Sequence, residues 1–266
     1  MPASPPSTRD LAQHAYADGR FEDAAKAFAR AVDERRRCLT ERGLAADRDD
    51  ALIDLETRQG WALFRLAEYE EARRLSEGCL ARSLALHGED HVLTVEARVL
   101  LGSVFVRRGR MDLAMDEFVA AHAATSRGTS VPEGTVGMVL NNLAGGAYQR
   151  GDLEGAIAWL QRALAHLDTH LGEGHVRSLP PLQNLTWMLA EASRFVESAA
   201  YARRAEAVAR ANLPDEHPTW GSLEGTLASA AYAAGRDLEA VDRYERVFRL
   251  LPPNDESRLS CLTNLL

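Results

Sequence analysis

Lysine is almost missing from this chain. Of 31 basic residues Lys26 is the only lysine, and the rest are arginine. Basic charge is outnumbered by 39 acidic residues, for a net charge of -8. That balance lacks the basic stripe a phosphate backbone requires, so no nucleic-acid partner is expected. Cysteine is scarce: Cys38, Cys79 and Cys261 are far apart and odd in number. They fit neither a disulfide framework nor zinc-ligand spacing and point to a reducing compartment. No apolar run approaches the roughly 18 residues of a membrane span. Residues 1–7, Met-Pro-Ala-Ser-Pro-Pro-Ser, have neither the charge nor the apolar stretch of a secretion signal and are expected to be disordered. The expectation is a cytoplasmic protein with no membrane partner. Also missing are a Gly-rich phosphate loop, a Gly-x-Ser-x-Gly turn and a paired Cys/His constellation, so no enzyme and no cofactor are expected. His87 and His91, like His166 and His170, are four apart, a spacing that can set two imidazoles on one face. No glutamate follows His166 directly, and His91 and His175 share a recurring loop position, so no metal site is expected.

What the chain does have is a period. Leu140-Asn141-Asn142-Leu143-Ala144 returns 42 residues later as Leu182-Gln183-Asn184-Leu185-Thr186, with Gly225-Thr226-Leu227-Ala228 after it and Val99-Leu100-Leu101-Gly102 before. Small residues keep the same step: Ala72, Ala114, Ala156, Ser198 and Ala240. Such a period marks stacked units that bury their apolar faces only against neighbours. Within a unit, apolar residues at 3, 4 and 7 spacing predict a helix, as at Val136, Val139, Leu140, Leu143 and Ala147. Gly19, Gly109, Gly151 and Gly235 then break the pattern before a second helix. Phe21, Tyr69, Met111, Leu153 and Phe195 follow the breaks and are expected in the elbow. Gly60, Gly102, Ala144 and Ala228 are expected where the first helix crosses the second, opposite the alanine series, because close axes need small side chains. Thr186 and Ser198 make the fifth crossing the roughest.

The sequence Gly102, Gly109, Ala114, with Pro252 twelve residues after Ala240, resembles the tetratricopeptide repeat. The 42-residue step, Leu-Asn-Asn-Leu-Ala, and the loops Leu171-Gly-Glu-Gly-His175 and Leu213-Pro-Asp-Glu-His217 are similar to the long repeats of kinesin light chains and their bacterial relatives. The resemblance implies an all-α, right-handed α-solenoid over residues 8–266. Its units fall at approximately 8–37, 50–86, 92–126, 134–169, 176–211 and 218–252, with a partial seventh at 254–266. Ala24 to Ala72 is 48 residues, so the segment from Cys38 to Asp50 is either a linker or a longer helix pair.

In that family the ligand-contacting side chains lie at the second, fifth, sixth, ninth, twelfth and thirteenth positions of the first helix. Carried over residue by residue, the second unit offers Arg58, Trp61, Phe64 and Arg65, and the third Ser103 and Arg107. The fourth offers Met138, Asn141, Asn142, Tyr148 and Gln149. The fifth offers Gln183, Asn184, Trp187 and Glu191, and the sixth Ser222, Thr226, Ser229 and Tyr232. Asn142, Asn184 and Asn264 share one position, with Thr226 between the last two. Carboxamides so placed either hold the backbone of an extended ligand or bridge neighbouring repeats. The expected function is non-catalytic: a scaffold or adaptor that binds a peptide or protein segment in its concave groove. The alternative is a sensor or signalling-peptide receptor controlling an enzyme or transcription factor. Leu262, Leu265 and Leu266 either seal the last unit or support self-association.

Overall fold

The computed structural model describes residues 7–128 and 131–250. The seventh unit, with Asn264 and its leucines, lies outside the described residues, as does residue 252. Among the described residues twelve α-helices follow one another in six pairs, and no strand occurs. The pairs are α1 (Thr8–Ala17) with α2 (Phe21–Glu41), α3 (Asp50–Arg65) with α4 (Tyr69–His87), and α5 (Val92–Arg107) with α6 (Met111–Ser126). They continue with α7 (Glu133–Gln149) and α8 (Leu153–Leu171), α9 (Leu179–Glu191) and α10 (Phe195–Asn212), and α11 (Thr219–Ala233) and α12 (Asp237–Leu250). The chain divides into two compact units, Met1–Val139 and Leu140–Leu266. In the first, α1 to α5 pack each on the next, with α3 also against α5; in the second, α8 to α12 do the same, with α9 against α11. The segment after Cys38 is a longer helix: α2 runs to Glu41, and a 3-10 turn at Ala46–Arg48 leads into α3.

The breaks end helices as the glycines predict. Gly109, at φ 70, turns the chain so that Arg110 N–H reaches Phe105 O and Gly109 N–H reaches Val106 O, closing the orphan carbonyls of α5. Two units do this without glycine. Ala67 (φ 62) and Ser193 (φ 59) hold the same left-handed position with the same pair of bonds. There the side chain meets the carbonyl, a strain of about 1–2 kcal/mol that the two bonds must outweigh. Phe21, Tyr69, Met111, Leu153 and Phe195 each open a second helix. Phe21 is buried at the elbow, whereas Phe195 remains exposed.

The crossings are tight. Ala144, Ala228, Ala24, Ala72, Ala114 and Ala156 are fully buried. A Cβ on Gly102 would stand 2.5 Å from the Phe118 ring, and one on Gly60 would stand 2.6 Å from the end of Leu100. At the fifth crossing the Thr186 hydroxyl donates to Leu182 O and Ser198 to Thr186 O, so both buried hydroxyls are satisfied.

Charge also braces the stack. Glu56 on α3 is 2 % exposed. It accepts from Arg36 on α2 at 2.6 Å and from Arg82 on α4. Glu224 on α11, 5 % exposed, repeats the device with Arg243 and Arg246 of α12, and Arg243 reaches on to Glu206 of α10. The arginine richness of the chain thus has a partly internal use.

Candidate peptide-binding face

In the second unit the first helices present one row of side chains that the protein leaves uncovered. Leu140, Leu143, Ala144 and Ala147 of α7 point into the core, as do Leu182, Leu185 and Leu189 of α9 and Leu223, Leu227 and Ala231 of α11. Between them, Asn141, Asn142 and Tyr148, then Gln183 and Asn184, then Thr226 and Ser229 are half-buried. Gln149, Trp187 and Tyr232 are exposed, Tyr232 at 55 %. A half-covered row flanked by core is what a shallow binding face requires.

Much of the polar capacity of this row is already engaged between neighbouring helices. Asn184 Nδ2 donates to Asn141 Oδ1 at 2.9 Å, tying α9 to α7. Asn184 is thus a bridge, which leaves its own carbonyl and the Asn141 NH2 for a ligand. Asn142 differs: its Nδ2 is buried and meets no acceptor among the described residues. Tyr148 donates to Glu191 at 3.1 Å and lies edge-on to Trp187, ring centroids 4.8 Å apart. Burial, and then the adjacent carboxylate, pushes its phenol above the ordinary value. Gln183 reaches Ser222 at 3.5 Å, Thr226 donates to Ser222 O, and Ser229 shares a hydrogen bond with Tyr244. Tyr148, Gln149, Gly151, Leu153 and Glu191 line a depression of about 410 Å³ at the α7–α8 turn.

The first unit is different. On α5 the equivalent positions are Val99, Leu100 and Ser103, all buried, with Ser103 donating to Val99 O. Ser103 therefore offers nothing to a ligand. Trp61 on α3 is half-buried and edge-on to Phe64. Arg58 is held by Asp54 at 2.9 Å. Arg65 lies over the Phe21 ring at 4.4 Å, and Arg107 lies over Tyr69 while donating to its hydroxyl at 3.0 Å. Arg65 and Arg107 are 42 apart, whereas the rings they cover, Phe21 and Tyr69, are separated by the 48-residue first step. Phe21 and Tyr69, the rings that open α2 and α4, thus each receive an arginine from the helix that follows. The sequence reading saw the arginines and the aromatics but not their pairing.

The recurring loop histidines have a local task. His91, His175 and His217 each accept, through Nδ1, the backbone N–H two residues on, at 3.4, 3.1 and 3.2 Å. They cap the start of the following helical segment.

These features define a helical-repeat protein whose uncovered surface is a row of amides and aromatic rings. The tetratricopeptide repeat profile matches residues 53–125 and 135–211, more than half of the chain. The chain belongs to the tetratricopeptide repeat family, and its solved likenesses include kinesin-light-chain-type repeats. BtubC (BKLC) from P. vanneervenii is 22 % identical, with a TM-score of 0.62 over 88 % of this chain and 94 % of that one. A putative kinesin light chain of Podosopora anserina with nearly identical TPR-like repeats is 18 % identical, TM-score 0.56, over 74 % of this chain and 93 % of that one. A Rap protein complexed with Competence and Sporulation Factor is 10 % identical, TM-score 0.67, over 97 % of this chain and 72 % of that one. At these identities the likeness establishes the all-α solenoid fold. A search of curated protein sequences found no match. Among the described residues no helix is long and apolar enough to cross a membrane.

Proposed function

We propose that this protein is a non-catalytic adaptor that holds an extended segment of another protein along the first helices of its second unit. The observation that carries the reading is the uncovered row on α7, α9 and α11. Three successive helices expose the same register, and the side chains there are amides and rings with polar handles. Amides grip a peptide backbone without reading its side chains, and Trp187 and Tyr232 supply contact area with little rotamer entropy to lose.

The test is a selection of random peptides displayed on phage against the wild-type chain, repeated with Trp187→Ala, Tyr232→Ala. Both residues are exposed, so the variant should keep its melting temperature. The enriched peptides should bind the wild type and lose at least tenfold in affinity on the variant. Peptides that bind both alike would move the ligand face elsewhere. The likeness to a Rap protein in complex with a factor supports a second reading, a signalling-peptide receptor. A receptor should change its small-angle scattering profile when the selected peptide binds; an adaptor need not.

A further inference from the structure

Three side chains brought together in the first unit have no part in the binding face. Asp50 is the first residue of α3, His87 the last of α4, and His91 caps the start of α5. One nitrogen from each imidazole and one Asp50 oxygen lie within 4.8 Å of one another. The rings stack at 3.9 Å with 24° between their planes, and His87 Nε2 stands 2.7 Å from Asp50 Oδ1. No arginine is paired with Asp50 among the described ion pairs, while its neighbour Asp49 is fully engaged by Arg35.

We propose that Asp50, His87 and His91 form a binding site for a borderline divalent cation of the Zn²⁺ class. Two imidazole nitrogens and one carboxylate oxygen suit Zn²⁺, Co²⁺ or Ni²⁺ rather than Mg²⁺ or Ca²⁺, which favour oxygen ligands. Ligation needs only small adjustments. The donors, all within 4.8 Å of one another, must settle at the roughly 3.3 Å that separates ligands about 2.0–2.1 Å from a tetrahedral ion, so the His87–Asp50 pair at 2.7 Å opens slightly while the wider separations close. All three donors sit at helix ends or in a cap, where side chains have room to turn. His91 is also the least committed of the three capping histidines: its acceptor contact, at 3.4 Å, is the longest. A metal on that ring would compete with this weak contact or shift the ring proton onto it. The bound ion would pin the start of α3 to the end of α4 and the start of α5, stiffening two repeats at one edge. At least one coordination position stays open to water.

The experiment uses the untagged, chelator-treated full chain, with His166→Ala and His170→Ala introduced to remove the other close pair. Zn²⁺ is titrated by calorimetry, and Co²⁺ is followed by its visible absorption. One equivalent should bind, with a tetrahedral Co²⁺ band and a raised melting temperature. Asp50→Asn, His87→Ala and His91→Asn should each weaken binding at least about tenfold. The last retains a capping acceptor, so a loss of metal without loss of fold is readable. His175→Ala, at an equivalent cap without such partners, should leave Zn²⁺ binding unchanged. Absence of Zn²⁺ binding up to about 0.1 mM, or binding that survives all three substitutions, would overturn the site and leave a simple Asp50–His87 pair. Either result leaves the peptide-face reading untouched.

Discussion

Glu56 offers the sharpest test of what holds the first unit together. Its carboxylate is nearly sealed from water, and its two oxygens are divided between Arg36 of α2 and Arg82 of α4, so one side chain fastens three helices. Glu56→Gln keeps the shape but removes the charge, and it turns an amide NH2 toward a guanidinium. The two arginines should not weigh equally. The Arg82 side chain is 24 % exposed, so its lost bond is a charge-assisted one worth about 1.5–3 kcal/mol. Arg36 is 55 % exposed, and water takes the place of its partner, leaving the surface value of about 0.2–1 kcal/mol. The substitution should therefore cost about 2–4 kcal/mol, near the lower range for breaking a buried pair. Trp61 is the only tryptophan in residues 1–139. With Trp159, Trp187 and Trp220 changed to Phe, urea unfolding followed by its fluorescence reports on the first unit alone. Arg82→Ala should reproduce most of the loss and Arg36→Ala little of it. A loss under about 1 kcal/mol for Glu56→Gln, or equal losses for the two arginines, would refute the argument.

The helix crossings make a paired prediction: Gly102→Ala should destabilise despite better helix propensity. Its Cβ meets three atoms of the fully buried Phe118 ring within 2.9 Å, and overpacking of about 1–3 kcal/mol exceeds the roughly 1 kcal/mol gained. Gly145→Ala meets nothing within 4 Å and should stabilise by up to about 1 kcal/mol; denaturant midpoints compare the two directly, and equal effects would remove the crossing argument. Burial pushes the Cys79 thiol up to about 11, so at pH 8 it should resist a disulfide reagent that labels half-buried Cys38 in a Cys261→Ser background; equal labelling rates would contradict its burial. Acid should weaken the first unit. Hydrogen bonds from Arg35 hold the Asp49 carboxyl below its ordinary 3.8, and those from Arg73 and Arg108 hold Glu70 at about 2. Because the folded values are depressed, this stabilisation is complete above about pH 4.5 and is lost as pH falls toward 2. Glu70 is fully exposed, so salt should blunt its share, whereas Asp49→Asn should flatten the melting-temperature profile between those limits. An unchanged slope would show that Asp49 is not the group responsible.

The helix pairs were legible because each unit repeats the same physical constraints. Glycine at positive φ in four of the six pairs, a small residue at each crossing and an apolar face at helical spacing recur in register along the chain. Where local chemistry departs from the rule, sequence patterning is silent. Ala67 and Ser193 look like ordinary helix residues, yet they take the left-handed cap because the flanking helices and the two turn bonds leave no other route. The end of α2 was open between linker and helix because nothing breaks the pattern before Gly43. The buried carboxylate braces escaped notice for another reason. Glu56 and Glu224 stand at equivalent places, but their arginine partners come from different positions in each unit.

The candidate face shows why a period locates a surface more readily than it assigns a role. Repeat alignment pairs Asn142 with Asn184, since they are 42 apart. Across the stack, however, Asn184 meets Asn141, and Tyr148 meets Glu191, each 43 apart. A helical side chain leans toward its own amino terminus, so contacts between neighbouring helices join positions next to one another in the register rather than identical ones. Residues with the same repeat position then share an environment without touching, and two adjacent asparagines on α7 take opposite roles. Asn141 completes a bridge to α9, while Asn142 keeps a buried donor with no acceptor among the described residues. The ladder of amides expected from the period is therefore divided between strut and unfilled donor. Of the two, Asn142 alone carries a buried donor for which no acceptor stands among the described residues.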